Sequence, residues 1–248
     1  MCSFKKSTYD VLMEYYQHNG FEKTIATARE MLNSSVHRGE KLFFNHVHGE
    51  ICEVVAMVTI DTFMQQHPEE TRDWFVTKGT ILRDPRNQGR RNYFTELDVT
   101  LFTPQRIYAL ECKCYGGDKK LQDVCTINRK GNRTDVFAQH RKHVEVLMNN
   151  IDAARREKGA KGYQLILFDF SAGTLVDERS KENRLLMLCL NEATLPRLLA
   201  MNKELPVVWD VKTVKRFMSI IERKKAEMSK EHLKYVTELN GRRGKNDG

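Results

Sequence analysis

No apolar run in this 248-residue chain approaches the about 20 residues that a membrane-spanning helix needs. The opening stretch, MCSFKKSTYDVLMEYY, also lacks the apolar core of a secretory signal. No membrane partner is expected, and a cytoplasmic location follows. No CxxC pair occurs among the six cysteines, Cys2, Cys52, Cys112, Cys114, Cys125 and Cys189. Cys112-x-Cys114 with Cys125 and His140 would be an unusually spaced zinc set. Reduced, mostly buried thiols are the better reading. The phosphate-cradling pattern G-x-x-x-x-G-K-[ST] is absent, which excludes a P-loop ATPase. There is no aromatic RNA-recognition sheet motif, no internal repeat and no low-complexity linker.

The composition is that of a globular protein, with 40% hydrophobic and 30% charged residues. The length suffices for a core without staples. Lysine and arginine exceed the acids by 41 to 33, a formal +8. That excess favours a polyanion as partner.

The most informative stretch is Phe94 to Gly117, FTELDVTLFTPQRIYALECKCYGG. Thr95 to Phe102 largely alternates polar and apolar residues around β-branched Val99 and Thr100, a strand signal. Thr103-Pro104-Gln105-Arg106 reads as a turn with Pro104 setting φ. Ile107 to Cys114 is the returning, antiparallel strand. Side chains on a strand alternate faces. Glu111 and Lys113 therefore point one way, and Leu110 and Cys112 the other. On the first strand the same rule groups Asp98 with Glu96 and Thr100, and sets Leu97, Val99 and Leu101 opposite. One acid from each strand and a lysine then converge. Such a set suits a hard divalent cation held by carboxylate oxygens. The lysine can orient an attacking water or neutralise charge on a phosphate.

Asp98 followed by Glu111-Cys112-Lys113 resembles the signature of the PD-(D/E)XK nucleases. The fuller wording ELDVTLFTPQRIYALECKCYGG is similar to the nuclease-related domain, NERD. A looser resemblance in element order runs from about Gly49 to Phe170. The residue before Asp98 is Leu97 rather than the proline of the superfamily's name. The resemblance implies Mg²⁺ or Mn²⁺ held by Asp98, Glu111 and the backbone carbonyl of Cys112. It also implies a glutamate on the first core helix, matched by Glu50 after Gly49, with Glu53 one turn on as the fallback. The alternative for Glu50 is a first-turn acid complementing the helix dipole. A glutamine on the helix after E-x-K, matched by Gln139, is implied to reach the site. His46 and His48 read as surface or capping residues.

Around this hairpin the chain reads as α/β, a mixed central sheet flanked by helices in a restriction-endonuclease-like core, with an N-terminal helical addition. Residues 1–45 form that addition, with a break at Asn19-Gly20. Residues 46–230 form the nuclease-like domain, and 231–248 a helix end and a disordered basic tail from Asn240. Helices are expected over about Asn45–Gln66 and Thr134–Lys158, the latter capped by Thr134. Another runs from an Asn191 cap to about Asn202, and a basic one from Val214 to about Lys230. Strands are expected at Trp74–Leu82, Tyr163–Phe170, Leu185–Leu190 and Pro206–Val211. Polar loops fill 118–133 and 171–183.

The expected activity is metal-dependent endonucleolytic hydrolysis of DNA. The alternatives are a catalytically silent nucleic-acid- or partner-binding module on the same fold, and an RNA-directed nuclease. Arg86, Arg90 and Arg91 on one loop, and Lys119, Lys120, Arg129 and Lys130 on the next, are candidate phosphate contacts, as is Lys142 beside His143 on the following helix. A homo-oligomer or a protein partner in a larger system is also open.

Overall fold

The computed structural model of the chain describes residues 7–36, 41–84, 86, 93–115, 117–123, 125–127, 133–151 and 162–243. The first helix, α1 (Thr8–Val36), is interrupted at Gly20, where φ is 76°. Only glycine takes that conformation without a Cβ penalty, so the Asn19-Gly20 break lies where the sequence puts it. Leu12, Tyr16, Ala28 and Leu32 of α1 share one core layer with Ile51, Val54, Val55 and Val58 of α2 (Lys41–Gln66). A short α3 (Pro68–Thr71) leads to β1 (Phe75–Arg83), β2 (Phe94–Phe102) and β3 (Ile107–Lys113). Next come β4 (Lys119–Gln122), β5 (Cys125–Ile127) and β6 (Arg133–Thr134), then α4 (Val136–Asn150), β7 (Tyr163–Asp169) and β8 (Leu175–Asp177). The chain continues through α5 (Lys181–Leu186), β9 (Met187–Leu190), α6 (Leu195–Met201) and α7 (Val211–Arg243).

The central sheet has the order β1-β2-β3-β7-β9. The β1–β2 and β2–β3 pairs are antiparallel, while β3–β7 and β7–β9 are parallel. This is the mixed α/β sheet expected. Its two faces bury different helices. Val99, Leu101, Leu110, Ile166 and Phe168 meet α1, α2 and α6, and Ala109, Leu165 and Leu167 meet α4 and α7. β7 is apolar on both faces because helices cover both. Each fully buried Leu, Ile or Phe there contributes about 1.5–3 kcal/mol of transfer free energy.

Several local expectations give way to tertiary pairing. Residues 118–133 are not simply a loop. They supply β4, β5 and β6, which with β8 make a second, four-stranded sheet of order β6-β5-β4-β8. The β4–β8 pairing joins Lys119–Leu121 to Leu175–Asp177, a partner distant in sequence that no local pattern reveals. The same pairing and α5 occupy the stretch 171–183 expected as loop. Pro206–Val211 is not a strand. The amides of Val208 and Trp209 both donate to the Pro104 carbonyl, at 3.0 and 2.8 Å, so the segment caps the hairpin turn. Asp135, not Thr134, caps α4, its carboxylate accepting from the Ala138 amide at 2.7 Å, because Thr134 is held in β6 against Thr126. Asn191 lies ahead of α6, whose cap is Thr194, and its side chain accepts from the amides of Ala193 and Thr194. Finally, α7 runs to Arg243, so Asn240 to Arg243 are helical rather than disordered. Lys225 Nζ anchors this helix on the Lys78 carbonyl at 2.9 Å. The remainder of the tail and the end of the helix expected to Lys158 lie outside the described residues.

One close approach fixes the join between β7 and α7. The Gly162 carbonyl accepts from the Ile107 amide at 2.8 Å and from Trp209 Nε1 at 3.1 Å. A Cβ on Gly162 would stand 2.2 Å from the Trp209 ring, and that ring is buried at 1% exposure. Gly162→Ala should therefore destabilise by about 1–3 kcal/mol, the usual cost of overpacking. The check is the urea midpoint at unchanged m-value; an unshifted midpoint would refute this account of the join.

Candidate active site

The β2–β3 ladder ends at the pair Val99–Leu110. One step beyond it Asp98 stands opposite Glu111. There the Cys112 amide donates to Asp98 Oδ2 at 2.7 Å, so the carboxylate inserts where the two strands part. On the other side of β2, the β1 residue facing Asp98 is Gly79, between the pairs Lys78–Val99 and Thr80–Leu97. Gly79 has φ of 56°, a left-handed value that an L side chain resists. This twist corrects the strict alternation expected for β2. Val99 and Leu101 enter the α1/α2 layer, but Leu97 enters the α4/α7 layer. Asp98 sits at the change of phase.

Glu111 is 2% exposed, and a buried carboxylate must be compensated. Its Oε1 accepts from Lys113 Nζ at 2.7 Å and from Gln139 Nε2 at 3.1 Å. Its Oε2 pairs with His143 Nδ1 at 3.1 Å and lies 3.9 Å from His140 Nδ1. Gln139 and His143 are one helical turn apart and so share a face of α4. The Asp135 cap starts the helix at the register that turns this face to the sheet. The structure thus brings Lys113 and Gln139 together on Glu111. From sequence, His140 entered only the cysteine zinc set and His143 only as a candidate phosphate contact with Lys142, neither as a partner of Glu111. The available signal was Gln139-x-x-x-His143 with His140 beside it, one face of a helix following E-x-K.

The charges are arranged unevenly. Burial first, then the Glu111 charge and, more weakly, Glu53, push Asp98 well above the usual carboxylate range, against the Cys112 hydrogen bond and Lys113. Burial alone would also raise Glu111. The His143 hydrogen bond and the Lys113 charge outweigh it and hold Glu111 below the usual range. Burial works against the Lys113 charge, yet Glu111 and Asp98 overcome it and raise that ammonium's pKa. Burial lowers His140 to about 4, so its ring is neutral near pH 7. A buried and a half-buried carboxylate, the second costly to ionise, fit a hard divalent cation as the missing positive charge.

The helix acid nearest this balance differs from the one expected. Glu50 Oε2 accepts from the Tyr9 amide at 3.4 Å, at the start of α1. Glu53 is the α2 acid whose charge acts on Asp98, and it pairs with Lys78 at 3.5 Å. Among the candidate phosphate contacts, Arg86 is instead taken up by Asp84 and Glu145, at 3.0 and 3.2 Å. Lys120 is likewise paired with Glu178 at 2.6 Å. Lys119 lies 5.3 Å from the Tyr115 ring, and Lys142 is half-buried on α4 beside His143. Arg90, Arg91, Arg129 and Lys130 lie outside the described residues, as does His46's side chain, and His48 is buried. Of the cysteine zinc set, Cys112 and His140 stand on opposite faces of the sheet, and the Cys125 side chain lies outside the described residues. Cys112 belongs to the α1/α2 layer, whereas His140 reaches Ala109 and Glu111 from α4 on the other face. Cys52, Cys112, Cys114 and Cys189 are free thiols.

Asp98 offers a test with a definite sign. Its folded-state pKa lies above the ordinary 3.8, so it costs no stability at low pH and its cost grows as pH rises through the folded value. Asp98→Asn keeps the oxygen that accepts from Cys112 and removes the charge. Without metal, the variant should melt at or above the wild-type temperature at pH 7.5, and the difference should vanish below about pH 4. Glu111 works oppositely: its contribution is present above its ordinary 4.5 and is lost as pH falls below it. Melting curves across pH check this; an Asn variant less stable at pH 7.5 would make Asp98 a structural carboxylate.

Residues 55–168 match the family model of the nuclease-related domain. No curated protein and no solved structure matches the chain. The matched stretch runs from within α2 through the hairpin and α4 to β7, so it holds Asp98, Glu111, Lys113, Gln139, His140 and His143, while Glu50 and Glu53 lie just before it. Residues 55–168 of this chain therefore resemble a nuclease-related domain, and their α/β core with two carboxylates at the parting of β2 and β3 is consistent with a PD-(D/E)XK-like nuclease.

Proposed function

We propose that the chain is an Mg²⁺- or Mn²⁺-dependent endonuclease that hydrolyses phosphodiester bonds of DNA. The observation carrying this reading is the convergence of Asp98, Glu111 and Lys113, with the Cys112 amide on Asp98 at 2.7 Å and Lys113 on Glu111 at 2.7 Å. Asp98, Glu111 and the Cys112 carbonyl would hold the ion, with Glu53 in place of Glu50 as the acid from α2. A divalent ion at such a site polarises the phosphate and lowers the pKa of water. Lys113 turns its ammonium to the attacking water or to the charge that builds on the phosphoryl oxygens. Gln139 and His143 fix the Glu111 carboxylate so that it need not reorient during the reaction. The net charge of +8 favours approach of a polyanion.

Purified protein should nick supercoiled plasmid with Mg²⁺ or Mn²⁺ and not with EDTA. Asp98→Ala, Glu111→Gln and Lys113→Ala should each lower the rate by about 10²-fold or more. The triple variant should be little worse than a single one, because the groups act as a unit. Full activity in all three singles rules out this site, and no cleavage by wild type leaves a silent binding module. An RNA substrate run alongside decides the nucleic acid.

DNA binding should fall steeply with salt, by about 0.9 in log–log slope per phosphate contact on duplex. Arg86→Ala should leave that slope unchanged, since Asp84 and Glu145 already hold its guanidinium. Lys142→Ala should flatten it by about one contact. Fluorescence anisotropy at several salt concentrations measures both, and the reverse pattern would return Arg86 to the phosphate-binding set.

A further inference from the structure

Glu111 faces two histidines, and one of them, His140, has no part in the proposed hydrolysis. One nitrogen of His140, one of His143 and a Glu111 carboxylate oxygen all lie within 4.8 Å of one another. His140 Nε2 stands 2.9 Å from the Ala109 carbonyl. A carbonyl only accepts, so this nitrogen carries the proton and Nδ1 presents its lone pair. That Nδ1 is buried without a hydrogen-bond partner, on a ring 2% exposed, and it points toward Glu111 Oε2 at 3.9 Å. A buried polar atom left unpaired costs about 1–3 kcal/mol. A histidine whose second nitrogen is fixed by a backbone carbonyl is the arrangement that orients a metal ligand.

We infer that Glu111, His140 and His143 form a binding site for a first-row transition ion of the Zn²⁺, Fe²⁺ or Co²⁺ class, on the α4 side of Glu111. Two imidazoles and one carboxylate select such ions over Mg²⁺, which favours oxygen donors and retained waters. Ligands bonded at about 2.0–2.2 Å need donor atoms closer together than 3.9 Å, so a small rotation of the Glu111 carboxylate closes the set. To ligate, His143 takes the tautomer with its proton on Nε2, so that Nδ1 presents a lone pair to the ion. Asp98 is not a member. Oε1 of Glu111 is taken up by Lys113 and Gln139, so Oε2 is the oxygen offered to the ion. The site therefore goes beyond the nuclease reading and stands whether or not the chain cleaves DNA.

The test is direct titration of EDTA-stripped, full-length protein with Co²⁺, Zn²⁺ and Mg²⁺ at pH 7.5. Calorimetry reads affinity, and visible absorption reads the Co²⁺ ligand field. The wild type should take up one equivalent of Co²⁺ or Zn²⁺ at this site, with visible Co²⁺ bands. His143→Gln and His140→Gln should each weaken Co²⁺ and Zn²⁺ by at least about tenfold and abolish those bands. Asp98→Asn should instead lose the melting-temperature response to Mg²⁺ and keep the Co²⁺ bands. His143 is the more exposed of the two, so His143→Gln decides the matter alone should the His140 variant fail to fold. Co²⁺ affinity and spectrum unchanged in His143→Gln, or no transition-ion binding by wild type, overturns the site. Failure of the nuclease reading would show separately, as plasmid cleavage indifferent to Asp98 and Lys113.

Discussion

A carboxylate at 2% exposure in the middle of a sheet is the constraint that organises this domain. Glu111 cannot remain ionised there without donors, and the fold delivers them from two directions. Lys113 comes from the same strand, two residues on, and Gln139 and His143 come from α4. The position of α4 over the sheet is therefore an electrostatic requirement as well as a packing one. Val144, Leu147 and Met148 bury its apolar stripe, while its first turns present the polar residues that neutralise Glu111. Removing one donor from such a group is costlier than its hydrogen bond suggests, because the buried charge is then left short of partners.

Asp98 is the opposing term. It is held beside Glu111 at the point where β2 and β3 separate, stabilised by one amide and otherwise by nothing that fully offsets burial and a like charge. The twist at Gly79 on the neighbouring strand shifts the phase of β2 so that Asp98 stands at the boundary between the two core layers. A sheet with regular alternation would have had to bury Asp98 wholly on one face. The like charges of Asp98 and Glu111 oppose each other, and a cation bound between them would relieve that repulsion.

The second sheet and the helices after β7 do different work. The β4-β5-β6-β8 sheet lies between the hairpin and α4 in sequence and closes on a strand that follows β7. It ties the segment after Lys113 to the rest of the domain through Lys119–Leu175 and its neighbours. α7 covers the β1 side, anchored by Lys225 on Lys78 and Lys224 on Asn150. Both devices hold the hairpin and α4 in fixed relation, which a site built from side chains of separate elements needs.

Much of this was legible in the chain itself, wherever the determining interactions are local. The hairpin, its turn at Pro104, the Gly20 break, the buried strand after Gly162 and the shared face of Glu111 and Lys113 all follow from periodicity and turn chemistry within a few residues. So did the match of the hairpin to the nuclease-related domain, because that signature is itself a short stretch. What the sequence could not decide depends on partners far along the chain. The Lys120–Glu178 and Arg86–Glu145 pairs give two candidate phosphate contacts acidic partners that the sequence did not show. The contact of Glu50 with the Tyr9 amide left Glu53 as the acid acting on Asp98. The placement of His140 and His143 on Glu111 needed the angle of α4 on the sheet. Alternation tells which way a side chain points, but only the tertiary structure sets what stands there to meet it.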